Sequence, residues 1–454
     1  MRRRLPIAIA IMTVLVGCGI ILIVGINKCI NDEHNNSDYK YNDNINTDNN
    51  TNIKDNININ ENNSEETSLD ELSEEEKERM FIELLIERMT LEEKIGQLLM
   101  VGIEGKELDE ETAEFLRKYK VGGVILFERN IESPEQLKRL TGQLQELECG
   151  PSGVGMLIGV DQEGGKVNRL PWEKGRFPSA SNLAGSGQPD KVRETASQMA
   201  AQLKELGINM NFAPVLDINS NPDNPVIGAR AFGDNPETVS QMGLAFMEGM
   251  LDEGIIPVGK HFPGHGDTSL DSHTDLPIVT HSMDRLKNFE LIPFVNAIKN
   301  GIPAIMTAHI LLPRLDENEP ATLSSSVIKG LLTEQLKFDG VVVTDDLGMG
   351  AIADLYTPGQ AAVKAIKAGV DILLICHCKE GVSQAFDSLL SALVTDDTTA
   401  GSDKSDKSSE KSDIKISIEE INMAVFRILT LKNRFGLIRA NSIADGTLAT
   451  TSPL

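Results

Sequence analysis

Eight short apolar runs recur along this chain, separated by longer amphipathic or loop segments. They are Leu98–Gly102, Gly122–Phe127, Met156–Val160, Asn209–Val215, Ile255–Gly259, Ala304–Ala308, Val341–Thr344 and Ile372–Cys376. A strand with one wet face alternates apolar and polar residues. These runs are apolar almost throughout, the pattern of parallel strands covered on both faces. Parallel neighbours need a long crossover, usually a helix, and helical periodicity lies between the runs, as over Glu107–Lys120, Pro134–Glu148 and Met283–Asn300. Thr90-Leu91-Glu92-Glu93 reads as a capping box opening a helix before the first run. Eight strand–helix repeats between Glu75 and Ile438 predict an α/β chain folded as a (β/α)8, TIM-type barrel in one domain, 75–439. An open doubly wound sheet is the competing arrangement.

In such a barrel, chemistry gathers at the C-terminal ends of the strands. Polar residues stand there in register with five of the runs: Asp161, Asp217, Lys260 with His261, His309 and Asp345. Any one of them could be a helix cap or loop residue; five together favour a site.

The chain's start is of another kind. Met1-Arg2-Arg3-Arg4 precedes 22 residues, Leu5 to Ile26, without a charge. That length spans a bilayer as a helix and exceeds a signal-peptide core. The arginines put the start in the cytoplasm. Leu15-Val16-Gly17-Cys18 also fits a lipoprotein cleavage site, but Gly19 to Ile26 stays apolar, so residues 1–30 read as an uncleaved anchor. Either way the remainder is expected outside the cell membrane and tethered to it. Residues 31–74 are rich in Asn and Asp and read as a disordered linker. The biased stretch 395–413 reads as a low-complexity surface insertion, and 440–454 as a flexible tail.

The net charge of −25 among 454 residues opposes nucleic-acid binding, which needs a basic surface. It does not oppose a neutral sugar. Five scattered cysteines imply no disulfide framework. Cys376-His377-Cys378 invites a zinc reading, yet one residue between the thiols and no second ligand pair nearby favour a strand end with a partly buried thiol.

The stretch from Lys260 to Pro277, KHFPGHGDTSLDSHTDLP, holds three of the seven histidines. His261 and His265 have the spacing of helical zinc ligands, but Pro263 and Gly264 break a helix, so the segment reads as a loop after the fifth strand. Asp271 and His273, two apart in an extended segment, would point the same way. The carboxylate would then favour a charged imidazole, a proton donor near neutral pH. In GVVVTDDLGMGAI, Gly340 to Ile352, Asp345 ends a buried strand and would be held rigidly, as a nucleophile requires; one of Asp345 and Asp346 could instead cap the next helix. GVDQEGGKVNRL, Gly159 to Leu170, fits no phosphate-binding glycine pattern, and its carboxylate suits sugar hydroxyls.

These segments, with MTLEEKIGQLLMVG, GGVILFERN, NFAPVLDI and VIGARAFG, resemble the bacterial β-N-acetylglucosaminidases, or β-hexosaminidases, of glycoside hydrolase family 3 over nearly the whole of 75–439. The resemblance implies a retaining glycosidase acting on terminal β-linked N-acetylglucosamine, notably of peptidoglycan fragments. It makes Asp345 the nucleophile, His273 the acid and base, and Asp271 the residue that orients and charges His273. It makes Asp161, Arg169, Arg230, Lys260 and His261 sugar-binding positions. No metal, no organic cofactor and a monomer are expected. Lys166 stands where many relatives carry Arg, and after Ile438 there is no room for the second α/β domain of some relatives. Alternatives are a β-glucosidase of the same family, a phosphorylase, a metal-dependent hydrolase and a non-catalytic cell-wall binding protein.

Overall fold

A computed structural model describes residues 72–393 and 414–439. The expected anchor at 1–30, almost all of the linker, the stretch 395–413 and the tail 440–454 lie outside the described residues. Among the described residues no helix is long and apolar enough to cross a membrane.

The eight runs form eight parallel strands: β1 Leu99–Gly102, β2 Gly123–Leu126, β3 Leu157–Val160, β4 Met210–Asn211, β5 Ile256–Phe262, β6 Ala304–Thr307, β7 Val341–Val343 and β8 Leu373–Ile375. From β1 to β7 each pairs with the next in sequence, and β8 pairs with β1. A parallel bridge between Val343 and Ile372 joins the remaining edges, so the sheet closes as a barrel rather than lying open. Strands β2, β3 and β6 are buried at every position, as covering on both faces demands.

The crossovers follow local rules. Over Pro358–Ala368, Thr357 and Gln360 form a capping box and Pro358 fills the first turn, where its missing N–H costs nothing. Gly369 ends this helix at φ 109°, a backbone conformation that favours glycine. The capping box expected at Thr90 forms with Glu93. The segment 283–300 differs from the expected single helix. It divides into Met283–Asn288 and Ile292–Lys299, because Pro293 lacks the N–H that would continue the first helix and instead sits in the opening turn of the second. At the start of the described residues, Ser73 caps a helix over Glu74–Arg88, closing a capping box with Glu76.

Two strand ends depart from expectation where it matters for chemistry. β4 is cut to two residues because Pro214 cannot donate to the ladder; the Ala213 and Pro214 carbonyls still accept from Val258 and Lys260, and the chain bridges β5 again at Val215–Lys260. β5 runs on to Phe262, so Lys260 and His261 belong to the strand and not to the loop after it. The β5–β6 register shifts between Gly259 and Phe262. Such a bulge turns side chains that a regular strand would send to opposite faces, and Lys260 and His261 line the same cavity.

The last described helix, Ile418–Arg434, secures the closure. Its Arg427 forks onto Asp371 at 2.7 and 3.0 Å, and the other Asp371 oxygen accepts the Val342 N–H of β7. Burial pushes the Asp371 carboxyl upward, against the pull of Arg427. Lys432, also buried, donates to Gln97 and to the Gly122 carbonyl, and burial lowers its ammonium to about 7.

Candidate active site

A cavity of about 330 Å³ opens at the C-terminal ends of the strands, within the usual size for small-molecule sites. All the sugar-binding positions expected from the sequence, together with Asp345 and His273, line it: Asp161, Arg169, Arg230, Lys260 and His261. Asp271 is not among the lining residues but holds His273 from behind.

The floor is a neutral cluster of four charges. The Lys260 ammonium, 2 % exposed, lies 2.7 Å from Asp161 and 2.7 Å from Glu163. Arg230 grips both oxygens of Glu163 at 2.8 and 2.9 Å. Burial alone would raise the Glu163 carboxyl, but Lys260 and Arg230 outweigh it and hold it well below the ordinary carboxylate range. For Lys260, burial works toward the neutral amine, and Asp161 and Glu163 overcome it and raise its affinity for the proton. Charges this deep persist only when matched and hydrogen-bonded. Arg169 is held less tightly, 3.5 Å from Glu128 and 3.9 Å from Asp161. Its Nε is buried without a hydrogen-bond partner.

His261 and the following loop are fixed by Asp217. One Asp217 oxygen lies 2.6 Å from His261 Nδ1, and the carboxylate also accepts the backbone N–H groups of His261 and His265. Arg230 faces the other ring nitrogen at 3.4 Å. Arginine only donates, so in the neutral ring the proton sits on Nδ1 toward Asp217. The Asp217 carboxyl is lowered, since the two histidines and their N–H groups overcome its burial. A carboxyl depressed in the fold stabilises above its ordinary value, here 3.8, and that stability drains away as pH falls through the lower folded value. Asp217→Asn should therefore be less stable at neutral pH. It should also flatten the acid limb of stability by about one proton, ~1.4 kcal/mol per pH unit, in urea midpoints taken from pH 6 to pH 2.5. An unchanged acid limb would show that Asp217 takes up its proton over the same pH range in the folded and the unfolded chain.

His265 is structural. Its ring nitrogens meet the hydroxyls of Thr268 at 2.9 Å and Ser272 at 3.1 Å, and burial, then the nearness of His261, lowers its basicity. Both nitrogens are thus engaged, away from the zinc arrangement that its spacing from His261 suggested. Among the described residues no three His, Cys, Asp or Glu side chains are placed to hold a metal. Cys376 is buried, and burial pushes its thiol up. Cys378 is exposed, and its sulfur accepts the Gly381 N–H at the head of the last barrel helix.

Asp271 and His273 meet as expected, but not through an extended segment. Residues 272–274 form a turn, in which one Asp271 oxygen accepts the His273 N–H at 2.9 Å and lies 2.7 Å from its Nδ1. Aspartate commonly binds the backbone two residues on, and here that turn aims the imidazole. Burial would raise the Asp271 carboxyl; the hydrogen bonds from His273 lower it. The His273 side chain stays 64 % exposed. Its carbonyl accepts the Gly350 N–H, and a Cβ at Gly350 would lie 2.8 Å from that carbonyl, so only glycine lets the loop after β7 pack beneath it.

Asp345 and Asp346 divide two tasks. Asp346 accepts the N–H groups of Gly348 and Cys376, and its carbonyl lies 2.9 Å from Nε2 of the buried His309. It ties β7 to β6 and β8. Asp345 accepts only the Asp346 N–H and faces the cavity. Burial raises its carboxyl, but His309, His261 and Lys260 outweigh this and keep it ionised.

Glu163, in contact with both cations of the floor, was not singled out by sequence reasoning. It lies two residues after Asp161 and before two glycines, and that spacing was the available signal. Asp217 and His309 were placed at strand ends but given no role.

Comparison with known proteins follows the same lines. The model of the glycosyl hydrolase family 3 N terminal domain matches residues 90–400. Beta-hexosaminidase A of Pseudoalteromonas piscicida is 40 % identical over 285 residues, 59 % of this chain and 48 % of that protein. A glycoside hydrolase family 3 beta-N-acetylglucosaminidase from Paenibacillus sp. strain FPU-7 superimposes with a TM-score of 0.70 at 41 % identity, over 80 % of this chain and 65 % of that one. NagZ from Neisseria gonorrhoeae, solved with N-trifluoroacetyl-D-glucosamine, gives 0.59 at 34 % identity, over 64 % and 84 %. The chain thus spans about half the length of the first relative and about two thirds of the second.

Proposed function

This chain belongs to glycosyl hydrolase family 3, and we propose that it is a retaining exo-β-N-acetylglucosaminidase. The observation that carries this reading is Asp345 opening into the cavity that also holds the Lys260–Asp161–Glu163–Arg230 cluster, with a His273–Asp271 pair at its rim. The relative named a beta-N-acetylglucosaminidase and the one solved with N-trifluoroacetyl-D-glucosamine support the same sugar.

In this mechanism the terminal sugar binds by its hydroxyls to Asp161, Lys260, Arg230, His261 and Arg169. The Asp345 carboxylate attacks the anomeric carbon as the bond to the leaving oxygen breaks. His273 gives that oxygen the Nε2 proton, and Asp271 steadies the charged ring. A water then attacks the anomeric carbon and releases Asp345, while His273 takes the water's proton. Two inversions give net retention. Wall fragments ending in N-acetylglucosamine are the proposed source of substrate. The 22 uncharged residues after three arginines support attachment to the cell membrane with the barrel outside.

The first test is hydrolysis of paired nitrophenyl β-N-acetylglucosaminide and β-glucoside, with and without EDTA. Turnover of the first sugar alone, unaffected by EDTA, is expected. Turnover of the glucoside alone, or loss with EDTA, would replace this reading. The acid role has its own signature. His273→Ala should lower kcat/KM about 10²–10⁴-fold for a poorly leaving alcohol, but only a few-fold for dinitrophenol, which needs no proton to depart. Equal losses on both would remove His273 from that role.

A further inference from the structure

We propose that Phe127 and His377 form the platform on which the leaving sugar ring rests, making His377 a determinant of what the enzyme releases. The inference depends on the hydrolase reading above. His377 directly follows the residue that ends the eighth apolar run, in the Cys376-His377-Cys378 motif, and nothing in the proposed chemistry uses it.

Both rings line the same cavity as Asp345. The His377 ring lies 5.0 Å from the Phe127 ring, tilted by 39°, and the side chain is 59 % exposed. An exposed ring so placed would ordinarily rotate freely, but Arg129 pins this one. The guanidinium reaches Nδ1 of His377 at 3.3 Å, donates to the Cys376 carbonyl at 2.9 Å and to the Ile103 carbonyl at 3.1 Å, and pairs with Glu104. It also lies 4.6 Å from the Phe127 ring centre. One arginine therefore fixes both aromatic rings to the barrel rim.

Arginine can only donate, so Nδ1 of His377 accepts and the ring's own proton sits on Nε2. That nitrogen lies 3.9 Å from the nearer Asp346 oxygen, beyond hydrogen-bond reach, and so keeps a donor available to a ligand. The platform thus presents aromatic surface, suited to the C–H face of a pyranose, with a donor beside it. The deep end of the cavity is filled by the charged cluster assigned to the terminal sugar. In an exo-acting enzyme the departing ring lies on the open side of the scissile bond, and the rim is that side.

The test compares two substrates that share the terminal sugar. One is N,N′-diacetylchitobiose, whose leaving group is a sugar ring; the other is N-acetyl-β-glucosaminyl azide, whose leaving group has none. For His377→Ala and Phe127→Ala, the ratio of kcat/KM for chitobiose to that for the azide should fall about tenfold. His377→Phe, which keeps the aromatic face, should recover most of the ratio. A ratio unchanged in both alanine variants would overturn the platform, as would a loss shared equally by both substrates. Wild-type protein that cleaves neither substrate would overturn the hydrolase reading itself, so the two failures are distinguishable.

Discussion

Replacing Asp345 by alanine should lower kcat for a nitrophenyl N-acetylglucosaminide by at least about 10⁴-fold, the scale on which removal of a nucleophile acts. The fold should survive. The carboxylate holds one hydrogen bond, to the next residue's N–H, while the ties between β6, β7 and β8 run through Asp346, His309 and Asp371. Thermal midpoints of the variant and the parent should therefore lie close together. The space left by the lost carboxylate borders the anomeric carbon in the proposed mechanism, so added azide should restore turnover and yield the α-glycosyl azide, the product of a single inversion. Residual activity above about a hundredth of the parent's, or a rescued product of β configuration, would move the nucleophile elsewhere, with Asp161 the next carboxylate to examine.

The second large effect is on stability. In Lys260→Met the ammonium between Asp161 and Glu163 is replaced by an apolar chain that can fill much of the same space. Arg230 remains on Glu163, but the cluster then carries an unmatched negative charge in a buried setting. Removing one partner from a buried ionic group costs about 3–5 kcal/mol, and urea unfolding at pH 7 should register a loss of that size. Adding Asp161→Asn should return part of it, because the surplus carboxylate goes. A loss below about 1 kcal/mol would mean that water reaches the cluster and screens it. Turnover should also fall in Lys260→Met, through the lost hydroxyl donor, so stability is the cleaner readout.

Much of this arrangement was legible in the residues. Runs covered on both faces must be nearly all apolar, so the eight strands stood out, with ends correct to a residue or two at β1, β2, β3, β6, β7 and β8. The errors have local causes. Pro214 shortened β4 and Pro293 divided a helix, because a missing N–H acts at one position while periodicity averages over many. The bulge that turns Lys260 and His261 into one cavity depends on the partner strand's register, which no single segment contains. The Asp271–His273 contact was foreseen with the wrong backbone, since either an extended segment or a turn brings residues two apart together. Glu163 escaped notice because its importance comes from Lys260 and Arg230, which are 97 and 67 residues away in the chain.

The last described helix reaches its place from beyond the stretch that begins after Leu393. The chain's two sides of that stretch are joined: Leu393 bridges Ile416, and the Ile416 N–H donates to the Ala392 carbonyl. The barrel thus sets where the chain departs and where it returns, independently of what lies between. Closing a longer loop costs only about 0.6 kcal/mol for each doubling of its length. This junction is therefore where the protein can accept a change of length, a foreign domain or a new pair of chain ends while Arg427 still meets Asp371.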